Sequence, residues 1–332
     1  MLPGDPAQMM LGQNEDSEQL ALVKQKYGFD KPITTQYLYY LNDLSPISFH
    51  SKKTDDYTFL SDNKYSATKL FSIGSTTTVF KFPYLRESFT KQGKKVSEVL
   101  AETLPNTFVL AVSAIIIAII LGILLGIISA LYKDKWLDKT IQIFSTFGMS
   151  VPSFFSAILF AWFFGYVLHE FTNLEMTGSL YELDDFGEAM HIKWKNLILP
   201  AIVLGIRPLA VVIQLMRNSL LEVFNQDYIR TARAKGLSER KVIWKHAFRN
   251  SLFPLITIFG SVLPAAFAGS IVVEYIFNIP GMGTLLLDSI RATDWPVVYS
   301  ILMIAAVLTM LGLLIADIMY VFADPRVRLD KK

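Results

Sequence analysis

The chain has 332 residues, of which 52% are hydrophobic, and its formal net charge at pH 7 is +2. The mean hydropathy of +0.39 and the clustering of the apolar residues exclude an ordinary soluble domain and indicate a membrane protein. The absence of cysteine excludes disulfides and thiolate metal sites, and the small net charge gives no support for nucleic-acid binding.

The first region, residues 1–102, is polar and precedes every long apolar run. The pattern from Glu18 to Tyr40 predicts helix. Serine, threonine, tyrosine and phenylalanine are abundant from Ser45 to Thr90, which favours either short β-strands or a loosely ordered loop. We expect an amphipathic turn from Ser97 to Thr103 to lead into the first apolar run, with Pro105 near its first turn.

Five apolar runs follow, and each reaches or exceeds the roughly 20 residues that a helix needs to cross the hydrocarbon core. Because a chain in lipid must satisfy its backbone hydrogen bonds internally, we predict a helix for each run. The runs are Thr103–Tyr132, Thr140–Leu168, Leu197–Met216 (interrupted by Arg207), Asn250–Val273 and Val297–Phe322 (which contains Asp317). The sequence therefore predicts an all-α polytopic membrane protein with a transmembrane domain over residues 103–322 and a cytoplasmic tail over 323–332.

Lysine and arginine set the orientation, because they are retained on the cytoplasmic side of a membrane. They are frequent between the first and second runs, in the loop 217–250 between the third and fourth, and in the tail. These segments are predicted to be cytoplasmic. The acidic loop Glu170–Asn196, the loop Glu274–Pro296 and the first region then lie outside.

This orientation places a long polar region outside with no spanning helix or signal before it. Long polar N-terminal tails seldom cross a membrane without one. We therefore expect a further transmembrane helix before residue 1, lost through truncation or a misplaced start codon, which would give six in the full subunit. The alternative, a cytoplasmic first region, inverts every loop against the charge rule.

The segment Asp227–Pro254, here called the elbow, is a basic stretch between two apolar runs. Its pattern predicts two short helices, because Gly236 can adopt the left-handed conformation that ends a helix and Ser238 is a good N-cap for a second one, which is expected to reach Arg249. Apolar Tyr228, Ile229, Ala232 and Leu237 lie among arginines and lysines and are expected to form an apolar knob ringed by donors. The elbow either docks another protein or is a basic loop that only fixes orientation.

No catalytic or metal-binding residues are predicted. The four histidines, His50, His169, His191 and His246, lack metal-ligand spacing. The sequence also lacks the phosphate-binding GxxxxGK[ST] loop, the GxSxG nucleophile motif and the HExxH pair, so we expect no enzymatic activity and no cofactor bound by the chain itself.

Arg207 is a charged residue in the middle of the third run. A charge at this depth costs at least a few kcal/mol in lipid, so its side chain should face protein or water. It either contacts a substrate carboxylate in a translocation pathway or forms a structural pair inside a complex, and the sequence favours the pair, as it does for Asp317. Pro152, Pro254 and Pro264 are expected to bend the second and fourth runs.

Several motifs resemble those of ABC importer permeases. In that family the coupling loop carries Glu-Ala-Ala, three residues and then glycine; Arg230-Thr231-Ala232 and Gly236 occupy these positions. His246, Phe248 and Arg249 depart from the later Ile-x-Leu-Pro part, but YIRTARAKGL and HAFRNSLFPLIT closely resemble the dipeptide and oligopeptide subfamily. Further matches are Pro3-Gly4-Asp5-Pro6, Tyr27–Pro32, Leu199–Gly205, Glu274–Phe277 with Pro280-Gly281-Met282-Gly283, and Asp324-Pro325-Arg326. Only residues from about 45 to 95 stand apart, as a variable insert longer than in the dipeptide members.

The resemblance implies a multi-pass permease subunit of the bacterial cytoplasmic (inner) membrane that forms half of a peptide translocation pathway. Its expected partners are a second homologous permease, two cytoplasmic ATPase subunits that bind ATP and Mg, and an extracytoplasmic peptide-binding protein. The residues expected to couple it to the ATPase are Asp227, Tyr228, Arg230, Thr231, Ala232, Lys235, Gly236 and Leu237. In the family a PGDP sequence directly follows the first transmembrane helix, which agrees with the helix expected before residue 1. The segment Ile276–Asp294 is expected to be a re-entrant helix.

Other functions remain open at this point. Within the family, the substrate could be a nickel chelate instead of a peptide. An ion-gradient-driven secondary transporter would also be polytopic, although ionisable relays and inverted repeats are not evident. A membrane-anchored sensor or scaffold would not require the elbow.

Overall fold

The computed structural model describes residues 7–8, 17–54, 56–62, 64–91, 93–183 and 190–323. The chain divides into two compact units. The N-terminal unit comprises residues 1–102 with 288–302, and the membrane unit comprises residues 103–287 with 303–332. The PGDP motif at residues 3–6 and all but the first residue of the predicted tail at 323–332 lie outside the described residues.

The N-terminal unit contains two short helices, α1 (Ser17–Tyr27) and α2 (Ile33–Leu44). Gly28, at φ +72°, and Pro32 separate them, so the helical pattern predicted from residue 18 to 40 is interrupted by a turn. The strands β1 (Ile47–Ser51), β2 (Ala67–Ile73) and β3 (Thr76–Lys81) form an antiparallel sheet with the order β1-β3-β2. The predicted short strands are therefore confirmed, and the loosely ordered loop is wrong.

A buried acid, Asp43, is the centre of hydrogen bonding in this unit. Its carboxylate accepts hydrogen bonds from Tyr57 Oη at 2.6 Å and Tyr65 Oη at 3.0 Å. Arg86 Nε donates a third at 3.0 Å, and Lys81 Nζ donates to the carbonyl oxygen of Asp43. Because Asp43 is fully buried, these donors replace the hydration of an exposed carboxylate. They tie the end of α2 to three later segments of the chain.

The membrane unit is mostly helical. Three helices are long and apolar enough to cross a membrane, and the number among the described residues rises to five if each of two bent helix pairs is one span. The helices are α3 (Val96–Leu131), α4 (Trp136–Ser150), α5 (Ser153–Trp162), α6 (His169–Thr172), α7 (Lys195–Phe224), α8 (Asp227–Ala234), α9 (Glu239–Lys241), α10 (Phe248–Ser251), α11 (Phe253–Phe277), α12 (Met282–Arg291) and α13 (Trp295–Ala323). π-helical turns occupy Phe163–Val167 and Val242–Ala247, and β4 (Tyr181–Leu183) pairs with β5 (Met190–Ile192).

Two helix pairs of the membrane unit are bent, one within the second predicted segment and one just after the fourth. α4 and the helix from Ser153 to Val167 meet at 110°, so the kink expected at Pro152 is a complete break. The helix that ends at Phe277 and the short α12 meet at 76°, which fits the re-entrant segment expected there. Three of the five predicted segments thus correspond to straight spans and the second to a bent pair, whereas the other bend follows the fourth predicted segment, which was expected to end at Val273.

Two proline positions differ from expectation. Pro254 was expected to bend a span, but it lies in the first turn of α11, where its missing N–H leaves no intrahelical bond unmade. Pro105 was expected near the first turn of its helix, but α3 begins at Val96, so this proline lies inside the helix.

α3 packs against α7 through two glycines. A Cβ atom on Gly122 would lie 2.6 Å from Val212 Cγ1, and one on Gly126 would lie 2.7 Å from Met216 Cβ. Their spacing of four places both on one helix face, as in the small-xxx-small contacts of transmembrane helices. The two helices therefore approach more closely than any larger residue would allow.

A buried ion pair fixes the beginning of α4 against α7. Arg217 Nη2 lies 2.6 Å from Asp138 Oδ2, and Arg217 Nε lies 2.8 Å from Oδ1. Ser129 Oγ, near the end of α3, and the Asp134 amide also donate to Asp138. Because the Asp138 carboxylate has four donors, its burial is compensated and three helices are held at one point.

We predict that Gly126→Val forces α3 away from α7 and destabilises the membrane unit by about 1–3 kcal/mol. The measurement is the thermal unfolding midpoint of the purified subunit in detergent. Leu124→Val, on the exposed side of the same helix, is the control and should leave the midpoint nearly unchanged. Equal midpoints for Gly126→Val and the control would contradict the close contact.

Candidate functional site

The first helix of the elbow, α8, is attached to the membrane unit by its apolar side. Ile229 and Ala232 are buried in a cluster with residues near the ends of α3 and α7, among them Ile127 and Leu220. Leu237, just after the helix, is half-buried against the same cluster. The expected apolar knob is therefore wrong for these three residues, because their side chains point into the chain's own core.

The outward side of α8 and the residue that follows the helix carry five of the predicted coupling residues. Asp227, Arg230, Thr231 and Lys235 are exposed, and the side chain of Tyr228 is 42% exposed. Tyr228 Oη accepts a hydrogen bond from Asn250 Nδ2 at 3.1 Å, which joins the two ends of the elbow. The exposed side is thus one aromatic ring surrounded by charged and polar groups.

Gly236 ends α8 in the way the sequence predicts. Its φ is +74°, in the left-handed region, and its N–H donates to the Arg233 carbonyl at 2.9 Å. A Cβ atom at this position would meet nothing within 4 Å. The requirement for glycine here is therefore conformational rather than steric.

The second part of the elbow differs from the single helix predicted. Ser238 is the N-cap residue of α9, as expected, but its side chain makes no capping hydrogen bond. α9 changes into a π-helical turn and then α10, which ends at Ser251 rather than Arg249. Across the Gly236 turn, Arg233 Nε pairs with Glu239 Oε1 at 2.8 Å, which links the two helices of the elbow.

Trp244 is a surface residue of the elbow that the sequence analysis did not select. Its side chain is 52% exposed, and its ring lies 5.3 Å from that of Phe248. An exposed tryptophan is costly to leave in water and is enriched at the centre of protein interfaces. The sequence feature that could have identified Trp244 is its position among the basic residues Lys241, Lys245 and Arg249.

Arg207 lies on α7 beside the break between α4 and α5. It lines a cavity of about 140 Å³ together with Ser153, Ser156 and Val151. The side chain is exposed and makes no ion pair with the described residues. Arg207 thus has no ion-pair partner among the described residues, and the structural pair inside the complex that the sequence favours stays a prediction.

Asp317 of α13 is also exposed, and it has no ion-pair partner within the described part of the chain. The two charged groups that the sequence places inside apolar runs, Arg207 and Asp317, thus both lie on the surface of this chain. Since a charge facing hydrocarbon is costly, these surfaces should meet protein or water in the assembled protein.

Glu274, fully buried near the end of α11, fixes the beginning of α12. Its Oε2 accepts hydrogen bonds from the Gly283 amide at 2.7 Å and the Thr284 amide at 3.2 Å. Thr107 Oγ1 donates to the other carboxylate oxygen at 2.7 Å. The carboxylate thus satisfies amides of the first turn of α12 and faces the positive end of its dipole.

The glycines of the Pro280–Gly283 motif make this contact possible. A Cβ atom on Gly281 would lie 2.4 Å from Glu274 Cδ, and one on Gly283 would lie 2.4 Å from Ile271 Cα. In the sequence, Glu274 and these glycines are visible only as matching motifs, and their contact becomes visible only in the structure.

The family comparison agrees with this arrangement. Residues 122–329 match the family of binding-protein-dependent transport system inner membrane components, and residues 1–54 match the N-terminal part described for the same components. The chain belongs to this family. It is a permease subunit of an ABC importer and a multi-pass protein of the inner membrane, and the family favours this function over the ion-gradient-driven transporter considered from the sequence.

Curated relatives cover nearly the whole chain. The oligopeptide transport system permease protein AppB of Bacillus subtilis is 33% identical over 98% of this chain and 90% of its own length. The dipeptide transport system permease protein DppB of Lactococcus lactis is 33% identical over 94% of this chain and 86% of its own length. Among solved structures, the inward-facing MetNI methionine ABC transporter has a TM-score of 0.56 at 14% identity, covering 69% of this chain and 97% of that chain, which shows the fold alone.

We predict that Gly236→Val leaves the subunit folded but impairs transport. A β-branched residue pays at least about 1 kcal/mol to adopt the left-handed conformation, so the turn should shift and re-aim the second part of the elbow. Uptake per ATP hydrolysed in vesicles carrying the whole importer should fall roughly fivefold or more. Ala234→Val, exposed and helical two residues earlier, is the matched control. Normal uptake by Gly236→Val would remove the turn from the mechanism.

We predict that Glu274→Ala loosens the first turn of α12. Losing the acceptor for one buried and one partly buried amide costs about 1–3 kcal/mol, so hydrogen exchange at Gly283 and Thr284 should accelerate roughly 5- to 150-fold. Glu274→Gln keeps one acceptor oxygen and should have an intermediate effect. Unchanged exchange in both variants would show that the carboxylate does not hold α12.

Proposed function

We propose that this permease subunit forms half of a pathway for oligopeptides or dipeptides and that the elbow transmits the movement of a separate ATPase to it. The names of the relatives, which are oligopeptide and dipeptide transport permeases, support a peptide substrate. The observation that carries the coupling role is the elbow's construction, with one side buried in the membrane unit and the other side exposed.

The elbow is suited to transmitting displacement because it is anchored and short. Ile229 and Ala232 attach α8 to the cluster between α3 and α7, so a push on α8 moves those helices rather than being absorbed by a flexible loop. The contact with the ATPase would be made by Tyr228, Arg230, Thr231 and Lys235, and Trp244 extends this surface. Ala232, Gly236 and Leu237 would act by holding the elbow's shape.

The break between α4 and α5 is the best candidate for the pathway wall. Irregular backbone at membrane depth is tolerated only where it meets protein or a water-filled cavity. Here the break adjoins a cavity lined by Ser153, Ser156 and Arg207. The arginine offers a positive charge to the C-terminal carboxylate or acidic side chains of a passing peptide, and the serines offer neutral hydrogen-bonding groups.

The assembly would contain a second homologous permease, two cytoplasmic ATPase subunits that bind ATP and Mg, and an extracytoplasmic peptide-binding protein. The exposed charges of Arg207 and Asp317 support a partner or a pathway on those faces, since neither charge is paired within the described residues of this chain. In this arrangement the elbow is cytoplasmic and residues 1–102 are extracytoplasmic.

The test is uptake of a radiolabelled dipeptide and a pentapeptide into vesicles that carry the complete importer. We expect uptake that requires both ATP inside the vesicle and the binding protein outside. Uptake driven by an ion gradient without ATP, or ATP-dependent uptake of a nickel chelate and of neither peptide, would overturn the proposal.

We predict that Arg207→Gln lowers peptide uptake while leaving assembly with the ATPase intact. Removing a charge-assisted hydrogen bond to the substrate costs about 1.5–3 kcal/mol, which corresponds to roughly a 10- to 150-fold loss. Arg207→Lys keeps the charge and should retain more uptake. Full uptake of every peptide by Arg207→Gln would exclude the pathway role.

A further inference from the structure

The N-terminal unit contains a cavity of about 640 Å³ that the coupling and translocation roles do not use. This volume lies within the range of pockets that bind small molecules. Its wall is built from residues in and just after α1 and from two later groups of residues, which are Thr54, Asp56, Tyr57, Phe59, Ser61 and Lys64, and then Tyr84, Arg86, Glu87 and Phe89. Most of the wall therefore belongs to the insert over residues 45–95.

Aromatic side chains form much of the cavity wall. Tyr27 and Phe29 stack with their ring centroids 5.9 Å apart, and Phe29 meets Phe89 edge-on at 6.1 Å. Tyr57 and Phe59 line the cavity from the following segment. These rings contribute a rigid apolar surface with polar edges, which is the usual composition of a small-molecule site.

Two cations border the same part of the cavity. Lys64 Nζ lies 3.5 Å from the centroid of the Tyr57 ring, and Arg86 Cζ lies 5.5 Å from the same centroid. Neither cation has its full set of hydrogen bonds. Lys64 Nζ donates to the Tyr57 carbonyl at 2.9 Å, and Arg86 uses Nε for Asp43, whereas its two terminal nitrogens bond to no described residue.

Lys64 is the more unusual of the two, because it is partly buried with no carboxylate within 4.0 Å among the described residues. Burial lowers the pKa of Lys64 to about 8, although the Asp43 carboxylate acts in the opposite direction. Neither acid that lines the cavity forms an ion pair with Lys64, although Glu87 acts on its pKa in the same direction as Asp43. Glu87 accepts a hydrogen bond from Tyr27 Oη at 2.8 Å, and Asp56 accepts one from Ser51 Oγ at 2.5 Å. Spare donors beside an aromatic wall suit an anionic group carried on an organic ligand.

We propose that this cavity binds the C-terminal end of a short peptide, with Lys64 and Arg86 receiving the carboxylate and the aromatic rings enclosing the terminal side chain. The identification of the ligand as a peptide rests on the proposed function. The preference for a carboxylate rests on the residues of the cavity itself. The site would hold peptide on the permease in addition to the pathway and the binding protein.

The experiment measures binding of a tripeptide ending in phenylalanine to the purified importer by calorimetry, without ATP and without the binding protein. We expect the free acid to bind and its C-terminal amide to bind at least about tenfold more weakly, which is a difference of roughly 1.4 kcal/mol. Lys64→Met, which keeps the length of the side chain, should weaken binding of the acid by a similar factor. Lys69→Met, at an exposed lysine outside the cavity, is the matched control and should bind as the unaltered importer does.

A second variant keeps the test decisive if Lys64→Met fails to assemble. Ser61→Trp places a large ring at a half-buried position of the cavity wall and should abolish binding of the acid. Equal binding of acid and amide, or unchanged binding in Ser61→Trp, would overturn the cavity site. That result would leave vesicle uptake, and with it the proposed function, intact. Absence of uptake with normal carboxylate-dependent binding would overturn the proposed function instead.

Discussion

The close contact between α3 and α7 at Gly122 and Gly126 is the constraint on which the rest of the membrane unit depends. Because both glycines lack a side chain, Ile127 and Ala130 further along α3 lie beside Met216 and Leu220 of α7. This paired surface is where the inward face of α8 packs. The Asp138–Arg217 ion pair then fixes α4 at the same end, so the elbow rests on α3 and α7, whose positions are fixed together with that of α4.

The sequence predicted the helical class well because length and apolarity decide what can cross a membrane, and both are local properties. It also predicted the left-handed turn at Gly236, which depends on backbone sterics alone. It did not predict which side of α8 faces inward. Ile229 and Ala232 have the helical spacing of a buried face, but whether that face meets this chain or a partner depends on where α3 and α7 end.

The other features that the sequence did not predict have the same origin, because they depend on contacts between residues far apart in the chain. A proline is a local signal for a disturbed helix. Pro152 and Pro254 carry this same signal, yet the helices beside Pro152 meet at 110°, whereas the first turn of α11 at Pro254 is undisturbed. Asp43 gave no signal, because its donors Tyr57, Tyr65 and Arg86 follow 14 to 43 residues later. Glu274 was visible as part of a motif, but its role depends on α12 folding back towards α11.

The break between α4 and α5 has a consequence for water. The last carbonyl groups of any helix lack partners from the following turn, and Pro152 brings no N–H that could serve them. The Val151 amide and the Ser150 hydroxyl reach back to Phe147 and Thr146, but they cannot satisfy every carbonyl at this end. In hydrocarbon, the remaining carbonyl groups would be too costly to leave without a hydrogen-bond donor. The second apolar run, which by hydropathy alone belongs among lipid tails, must therefore meet water or the polar groups of another protein near its middle, at the point where the chain turns.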